Sequence, residues 1–217
     1  MVTIIIPTYN EENNIKSIEN VLSNLKGDFE VIFTDGFSSD HTFDTINYPK
    51  IQKARYRSNQ MNEACKLARG DYLFFLHCDS IIGSDCINLI EESNTNCGCF
   101  KIEFFPNNWK LKLIADFSNR RVKKNNIAFG DQGIFIKKEL FFKLGGYKPI
   151  ALMEDYQLSM DLNENGIKIK QLDYIIYSSS RRFTDKEFLT GIRMKKLQKL
   201  YRKGYDIDEI ASMYKKI

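Results

Sequence analysis

The sequence lacks several patterns that would assign it to a common protein class. Its five cysteines include no CxxC pair, and no apolar run approaches the ~18 residues of a transmembrane helix. Residues 2–6 form a strand-like run rather than a charged segment followed by a cleavable apolar one, so no signal peptide is predicted. We therefore expect reduced thiols and a cytoplasmic protein.

Familiar nucleotide-binding and hydrolase motifs are also missing. The first strand is not followed by GxGxxG, and neither GxxxxGK[ST] nor GxSxG occurs, which argues against a dinucleotide fold, a P-loop enzyme and a hydrolase elbow. A sugar-phosphate nucleotidyltransferase would need a Gly-rich basic loop at residues 7–11, and none is present. With only His41 and His77, histidine-based metal or acid/base schemes are limited.

What is present suits one globular domain. The 217 residues are 43% hydrophobic and 28% charged, without a linker-like tract. The net charge of +4 is concentrated after residue 180, where 11 basic residues face 5 acidic ones. Such a tail can bind an anionic membrane surface or nucleic acid, but it can equally be a solvated helix face. We expect no nucleic-acid partner.

Strand-like and helical segments alternate along the first half. Residues 2–6, 29–33 and 72–76 are short apolar runs, and residues 15–25 and 61–68 carry apolar stripes at helical spacing. This alternation predicts an α/β fold with a mostly parallel central sheet covered by helices on both faces.

The second half is less regular and predicts a small antiparallel second sheet. Its predicted strands are residues 99–105, 133–136, 169–172 and 174–177, and its predicted helices are residues 109–121 and 154–165. Two amphipathic helices, residues 185–203 and 206–216, follow. We interpret residues 1–217 as a single domain with three parts: residues 1–100, residues 101–182 and the C-terminal helices (183–217).

Polar clusters end three of the predicted strands. They begin at Pro7, Asp35 and His77, and each contains at least one carboxylate. Because ligands bind beyond the carboxyl ends of strands in an open parallel sheet, the three clusters predict one shared site. Each Asp could instead cap a helix or a turn.

The order and spacing of these clusters resemble family-two glycosyltransferases with the GT-A fold. The resemblance runs from about residue 2 to 182. It rests on the opening strand with Pro7, Thr8, Tyr9, Asn10 and Glu11; a DxSxDxT-like segment with Asp35, Ser38, Asp40 and Thr42; the strand ending at Asp79; and Met153, Glu154 and Asp155. Four further segments match a compact bacterial branch: Gln60-Met61-Asn62, Gly130-Asp131-Gln132-Gly133, Leu144-Gly145-Gly146-Tyr147 and Ser180-Arg181-Arg182.

The resemblance implies a nucleotide-sugar donor, UDP- or GDP-linked. It also implies that residues 1–100 are the nucleotide-binding half and residues 101–182 the acceptor and catalytic half. Asp35 would accept hydrogen bonds from the base or ribose. Arg57 would meet phosphate charge or be a surface helix residue, and Arg181 with Arg182 would clamp the diphosphate. The implied donor-binding residues are Pro7, Thr8, Tyr9, Glu11, Asp35, Ser38, Arg57, Asn62, His77, Cys78, Asp131, Gln132, Arg181 and Arg182. Of these, Asp131 and Gln132 would contact either the sugar or the acceptor.

It also implies a metal and a general base. Asp79 would hold Mn²⁺ or Mg²⁺ together with the donor phosphates. His77 replaces the first Asp of the usual DxD pattern, and it either hydrogen-bonds the donor or is a satisfied histidine. Asp155 would take the proton from an acceptor hydroxyl, which predicts inversion in a single displacement. Glu154 would either orient this base or contact the acceptor. The replacement at His77 leaves open a catalytically silent nucleotide-sugar-binding or scaffold protein.

The acceptor is not identified by any motif; a sugar, a lipid-linked sugar or another small molecule would each fit. The C-terminal helices bear on this, because their apolar residues fall roughly on one face opposite Lys and Arg. That face predicts peripheral contact with the inner face of the membrane, packing onto the domain, or a homodimer. Its residues are Phe188, Leu189, Ile192, Leu197, Leu200 and Tyr201.

Overall fold

The computed structural model describes residues 1–54, 56–181, 183 and 187–214, with residues 187 and 188 described by their backbone alone. The strands are β1 Val2–Thr8, β2 Phe29–Asp35, β3 Lys50–Gln52, β4 Tyr72–Phe75, β5 Ser80–Ile81, β6 Cys97–Phe105, β7 Phe135–Lys137 and β8 Lys170–Ser179. The helices are α1 Glu12–Ser23, α2 Thr42–Thr45, α3 Arg57–Leu67, α4 Cys86–Glu92, α5 Trp109–Asn125, α6 Lys138–Lys143, α7 Glu154–Glu164, α8 Glu187–Arg202 and α9 Ile207–Tyr214, with a 3-10 turn at Gly130–Gln132.

The described strands form one sheet in the order β3-β2-β1-β4-β7-β6-β8-β5. The first four are parallel, β7 joins antiparallel to both β4 and β6, β6 and β8 are parallel, and β5 is antiparallel to β8. The mostly parallel α/β sheet is confirmed. The antiparallel strands do not form the separate second sheet that was predicted, because β7 pairs directly with β4 and makes the sheet continuous.

The continuous apolar run of β1 is explained by layers on both faces of the sheet. Val2, Ile4 and Ile6 pack on one side with the apolar stripe of α1 and with α4. Ile5 packs on the other side with Met61 and Ala64 of α3. A strand buried on both faces needs no polar alternation, and this is the pattern that the sequence has.

One long strand stands where two short ones were predicted near residue 173. β8 pairs with β6 along its length, but the register shifts between Phe100, opposite Leu172, and Lys101, opposite Ile175. This irregularity interrupts the alternation of side chains, and therefore the sequence pattern looks like two strands.

The C-terminal helices pack on the domain beside α7. Leu197 and Ile210 are buried with Tyr156, and the Tyr201 hydroxyl donates a hydrogen bond of 2.5 Å to Gln157 Oε1. This part of the predicted amphipathic face is therefore an internal contact. Within the described helices, none has both the length and the hydropathy needed to cross a bilayer.

Candidate active site

The three predicted clusters meet at one edge of the sheet. Thr8 at the end of β1 pairs with Asp35 at the end of β2, and the Leu76 amide, one residue beyond β4, donates to Ile5 of β1. Pro7 is half-buried beside them. The polar residues that follow these strands therefore share one edge, as the sequence predicts.

The Asp35 carboxylate is buried and organises the loop that follows it. It accepts hydrogen bonds from the Ser38 amide (2.9 Å), the Ser38 hydroxyl (2.5 Å), Gln52 (3.2 Å) and Thr8 (3.3 Å). Ser38 Oγ also accepts from the amide of Asn10, which ties the β1 and β2 loops together. The contacts seen for Asp35 are thus with this loop and with the neighbouring strands β1 and β3, and its contact with a nucleotide stays a prediction.

A guanidinium joins the ends of β1, β4 and β8. Arg181 donates to both oxygens of Glu11 at 2.9 and 2.5 Å, and its Nε lies 3.1 Å from Asp79 Oδ2. These contacts raise the pKa of Arg181, with the Glu11 hydrogen bond as the largest cause. The Cys78 thiol is buried beside the same carboxylates, and burial, reinforced by Glu11 and Asp79, raises its pKa well above the ordinary value. Burial among these carboxylates therefore disfavours the thiolate form of Cys78.

A second guanidinium, that of Arg57 in α3, contacts His77 and Glu154, the residue before the predicted base. Arg57 Nη1 lies 3.2 Å from His77 Nε2, and Arg57 Nε lies 3.7 Å from Glu154 Oε1. Because a guanidinium only donates, His77 Nε2 accepts, and the proton of a neutral imidazole belongs on Nδ1. Desolvation lowers the pKa of Arg57, but Glu154 and Asp155 outweigh it and the pKa is raised overall.

Asp155 is held by both of its carboxylate oxygens. The Gly130 amide donates to Oδ2 at 2.7 Å, and the Tyr156 amide donates to Oδ1 at 2.6 Å. Asp155 lies in the first turn of α7, where the helix dipole favours a negative charge. Gly130 also lies against His77: a Cβ built on it would be 2.8 Å from His77 Nε2 and 3.5 Å from Asp155 Oδ2. The predicted base and His77 therefore meet across one glycine.

Arg121 is a site residue that sequence reasoning missed. Its guanidinium stacks on the Phe129 ring at 3.7 Å and donates to Gln132 Oε1 at 3.0 Å. Burial lowers the pKa of Arg121, although Asp131 and Asp155 oppose the shift. The available signal was its helical position, three residues after Ser118 and seven after Ile114, at the edge of the buried stripe of α5.

Two of the predicted donor-binding residues, Asn62 and Gln132, are engaged within the protein. Both amide atoms of Asn62 bond the backbone of Tyr147, at 2.7 and 2.9 Å, so the observed contact of Asn62 is a brace between α3 and the turn after α6. Gln132 is buried under Arg121 rather than open to a ligand. Arg182 lies outside the described residues. Tyr9, by contrast, presents a partly exposed ring beside Gly36.

The charges of the site favour a cation. Among its described side chains, six carboxylates outnumber three guanidiniums. The carboxylates are those of Glu11, Asp35, Asp79, Asp131, Glu154 and Asp155, and the guanidiniums are those of Arg57, Arg121 and Arg181. In the described part of the chain, no three or more His, Cys, Asp or Glu side chains are grouped so that they could hold a metal ion by themselves. A hard cation at Asp79 would therefore need phosphate oxygens for the rest of its coordination, which is how Mg²⁺ commonly binds.

Known proteins are similar to this chain in sequence and in fold. An uncharacterised glycosyltransferase of Haemophilus influenzae is 26% identical over 75% of this chain, and the match covers 62% of that protein, so the chain spans less than two thirds of its length. The UDP-Glc:alpha-D-GlcNAc-diphosphoundecaprenol beta-1,3-glucosyltransferase WfaP of Escherichia coli is 34% identical over 81% of this chain and 75% of its own length.

The same fold occurs in a solved mannosyltransferase from Pyrobaculum calidifontis, PcManGT, in complex with GDP-Man and Mn²⁺. It superposes with a TM-score of 0.66 at 19% identity, over 91% of this chain and 61% of that one. Residues 3–145 match the model of the family described as Glycosyl transferase family 2. Since that match spans more than half of the residues, the chain belongs to glycosyl transferase family 2.

Proposed function

We propose that the chain transfers a sugar from a nucleotide-diphosphate sugar to an acceptor hydroxyl, with inversion at the anomeric carbon. The observation that carries this proposal is the placement of Asp155. Its carboxylate is fixed by two backbone amides at the same sheet edge where Arg181 and Asp79 meet. A base and a phosphate-binding region side by side are what a single displacement requires.

The nucleotide would bind at the loops that follow β1 and β2. Thr8, Asp35 and Ser38 hold these loops together, and the exposed part of the Tyr9 ring offers a surface on which a base can stack. UDP-glucose is the donor in the printed name of the Escherichia coli relative, and GDP-Man is bound in the Pyrobaculum structure. A UDP- or GDP-linked donor is therefore the first choice to test.

The diphosphate would lie between Arg57 and Arg181. Both guanidiniums are now held by carboxylates, Arg57 by Glu154 and Arg181 by Glu11 and Asp79, and each retains further N–H groups that suit phosphate oxygens. Asp79 would hold Mn²⁺ or Mg²⁺ together with the donor. The cation would supply Lewis-acid neutralisation of the departing diphosphate. The excess of carboxylates in the site supports this requirement.

Asp155 would accept the proton of the attacking hydroxyl. Its two backbone hydrogen bonds fix the position of the carboxylate, as a group that takes a proton from a bound hydroxyl requires. Glu154, next to it in α7, fixes Arg57 and so positions the phosphate end of the site relative to the base. One base and one leaving group predict inversion rather than a covalent intermediate.

A thermal-shift screen of UDP- and GDP-sugars, with and without Mn²⁺, tests donor binding. A ligand at 100 times its Kd stabilises the native state by about 2.7 kcal/mol. For a domain of this size that corresponds to a rise in Tm of roughly 5–11 °C. Free sugars and ATP serve as control ligands. If no nucleotide sugar moves the Tm in either condition, the proposed donor site is wrong.

A second assay separates transfer from silent binding. Release of nucleoside diphosphate from a donor that shifts the Tm is followed with a panel of sugar, lipid-linked and small-molecule acceptors. Turnover that depends on an acceptor supports the transferase. Donor binding without turnover against any acceptor class would favour the silent scaffold instead.

A further inference from the structure

The outer face of α5 is apolar where a helix on a protein surface is usually polar. Trp109, Leu113 and Phe117 are spaced four residues apart, so they lie on one side of the helix. All three are exposed, Trp109 by 67%. The opposite side of α5 is already used, since Leu111 and Ala115 pack on β6. The exposed stripe is therefore additional to the core contact of this helix.

Helix α8 extends this surface. It packs beside α5, where Lys195 Nζ lies 5.6 Å from the centre of the Phe117 ring. Leu189 and Ile192 of α8 are also exposed, whereas Leu197 is buried against α7. We call the exposed set Trp109, Leu113, Phe117, Leu189 and Ile192 the apolar face.

The two helices that carry the apolar face are also rich in exposed basic residues. The described side chains of α5 and α8 include nine exposed basic residues and one exposed acidic residue, Asp116. Arg120 and Lys124 continue the line of the apolar stripe along α5. The exposed basic residues are Lys112, Arg120, Lys123, Lys124, Arg193, Lys195, Lys196, Lys199 and Arg202.

The apolar face lies near the end of the sheet that carries the active site. Phe105, at the end of β6 and just before α5, pairs with Ser179 at the end of β8. Arg181, which contacts Asp79, follows two residues later. Short segments of the chain, after β6 and after β8, therefore link the apolar face to the active-site edge of the sheet.

We propose that the apolar face docks on the surface of an anionic lipid bilayer. Bulky apolar side chains that insert at the lipid boundary, ringed by Lys and Arg that meet anionic headgroups, form the interfacial binding pattern of peripheral proteins. This inference concerns binding only and does not rest on the proposed transfer reaction.

Charge argues against the other occupants. In a two-fold homodimer through this face, the basic surface of one copy would face the basic surface of the other. Such an arrangement is unfavourable without acidic side chains between the two surfaces. Nucleic acid would satisfy the basic residues but would leave Leu113, Leu189 and Ile192 without apolar partners. A bilayer satisfies both parts of the surface.

The chain carries its own reporter for this contact, because Trp109 is its single tryptophan. The full chain is mixed with vesicles of phosphatidylcholine containing about a third phosphatidylglycerol. We expect the Trp109 emission to move to shorter wavelength and to be quenched by brominated lipids. Binding should weaken with added salt and on vesicles of phosphatidylcholine alone. An emission spectrum unchanged by anionic vesicles overturns the proposal.

A matched pair of variants locates the contact. Leu113 and Phe117 are 41% and 58% exposed, and Leu67 and Phe142, which lie on α3 and α6, are 55% and 46% exposed. The double variant Leu113→Gln/Phe117→Gln should bind anionic vesicles with an affinity at least about tenfold lower than that of the wild type. The control Leu67→Gln/Phe142→Gln should bind as the wild type does. Equal binding by both variants would overturn the location.

Two measurements identify a different occupant. Light scattering without lipid that gives a dimer mass, reduced to a monomer by Leu113→Gln/Phe117→Gln, would assign the face to a second copy. A shift of Trp109 emission with a homopolymer RNA but not with vesicles would assign it to nucleic acid. Either result overturns the lipid proposal.

Discussion

Gly130 is the residue at which the arrangement of the site can be tested with one added carbon. Its φ lies outside the left-handed region, so alanine is compatible with the backbone. The added Cβ would be 2.8 Å from His77 Nε2, which is too close for non-bonded atoms. The imidazole must therefore move, and its 3.2 Å contact with Arg57 lengthens or breaks. Asp155 Oδ2, at 3.5 Å from the same Cβ, can stay in place.

The magnitudes predict that activity and stability separate in Gly130→Ala. Replacing glycine where the backbone allows it stabilises by about 0.4–1 kcal/mol through the unfolded chain, and a displaced rotamer costs about 0.5–1.5 kcal/mol. These effects nearly cancel, and water can replace His77 as a partner of the 37% exposed Arg57, so Tm should change by less than about 4 °C. A hydrogen bond to a charged group contributes about 1.5–3 kcal/mol, so the rate of donor turnover should fall roughly 10- to 100-fold.

The assay compares nucleoside diphosphate release and Tm with those of a glycine control. Gly191 of α8 has no atom within 4 Å of a built Cβ, so Gly191→Ala should raise Tm by about 2–4 °C and leave turnover unchanged. A wild-type turnover rate in Gly130→Ala would refute the contact between Gly130 and His77, or the importance of His77 to the reaction.

Three further changes test other parts of the site and fold. Asp155→Asn should lower turnover by about 10²–10⁴-fold while donor-induced thermal shifts persist; unchanged turnover would remove Asp155 as the base. Arg181→Ala should weaken donor binding about tenfold but strengthen Mn²⁺ binding to the donor-free protein, because Asp79 loses a competing cation; calorimetry that shows weaker Mn²⁺ binding would contradict this. Glu30 accepts from Thr3 and twice from Arg69; desolvation opposes these bonds, but the pKa of Glu30 is lowered overall. Glu30→Gln should therefore lower the free energy of unfolding in urea by about 1–3 kcal/mol above pH 5. The difference from the wild type should vanish as pH falls through the lowered pKa of Glu30. A difference that persists at low pH would show that the charge of Glu30 is not its source.

The half of the fold built from parallel strands could be predicted because its signals are local. An apolar run followed by polar residues marks both a buried strand and the edge at which that strand ends, and β1, β2 and β4 all show this pattern. Convergence of Glu11, Asp35 and Asp79 then follows from parallel pairing alone. Strands as short as β3 and β5, with three and two residues, leave too little pattern to recognise.

The remaining features depend on contacts between distant segments. The pairing of β7 with β4 joins residues more than 60 positions apart, and no local pattern distinguishes one continuous sheet from two. The same holds for Arg121, whose neighbours Phe129 and Gln132 are reached only when the chain after α5 folds back. Asn62 shows the opposite case: its motif position suggested a ligand, and its amide is engaged with Tyr147.

The surplus of carboxylates around Asp79 has a consequence for the end of the reaction cycle. A cation that accompanied the donor, as proposed, would offset the repulsion between these carboxylates and the phosphates. Once the bond between the sugar and the diphosphate has broken, loss of that cation would leave the nucleoside diphosphate facing the carboxylates. The same charges would then favour departure of the product, and nucleoside diphosphate without a cation would bind more weakly than its cation complex.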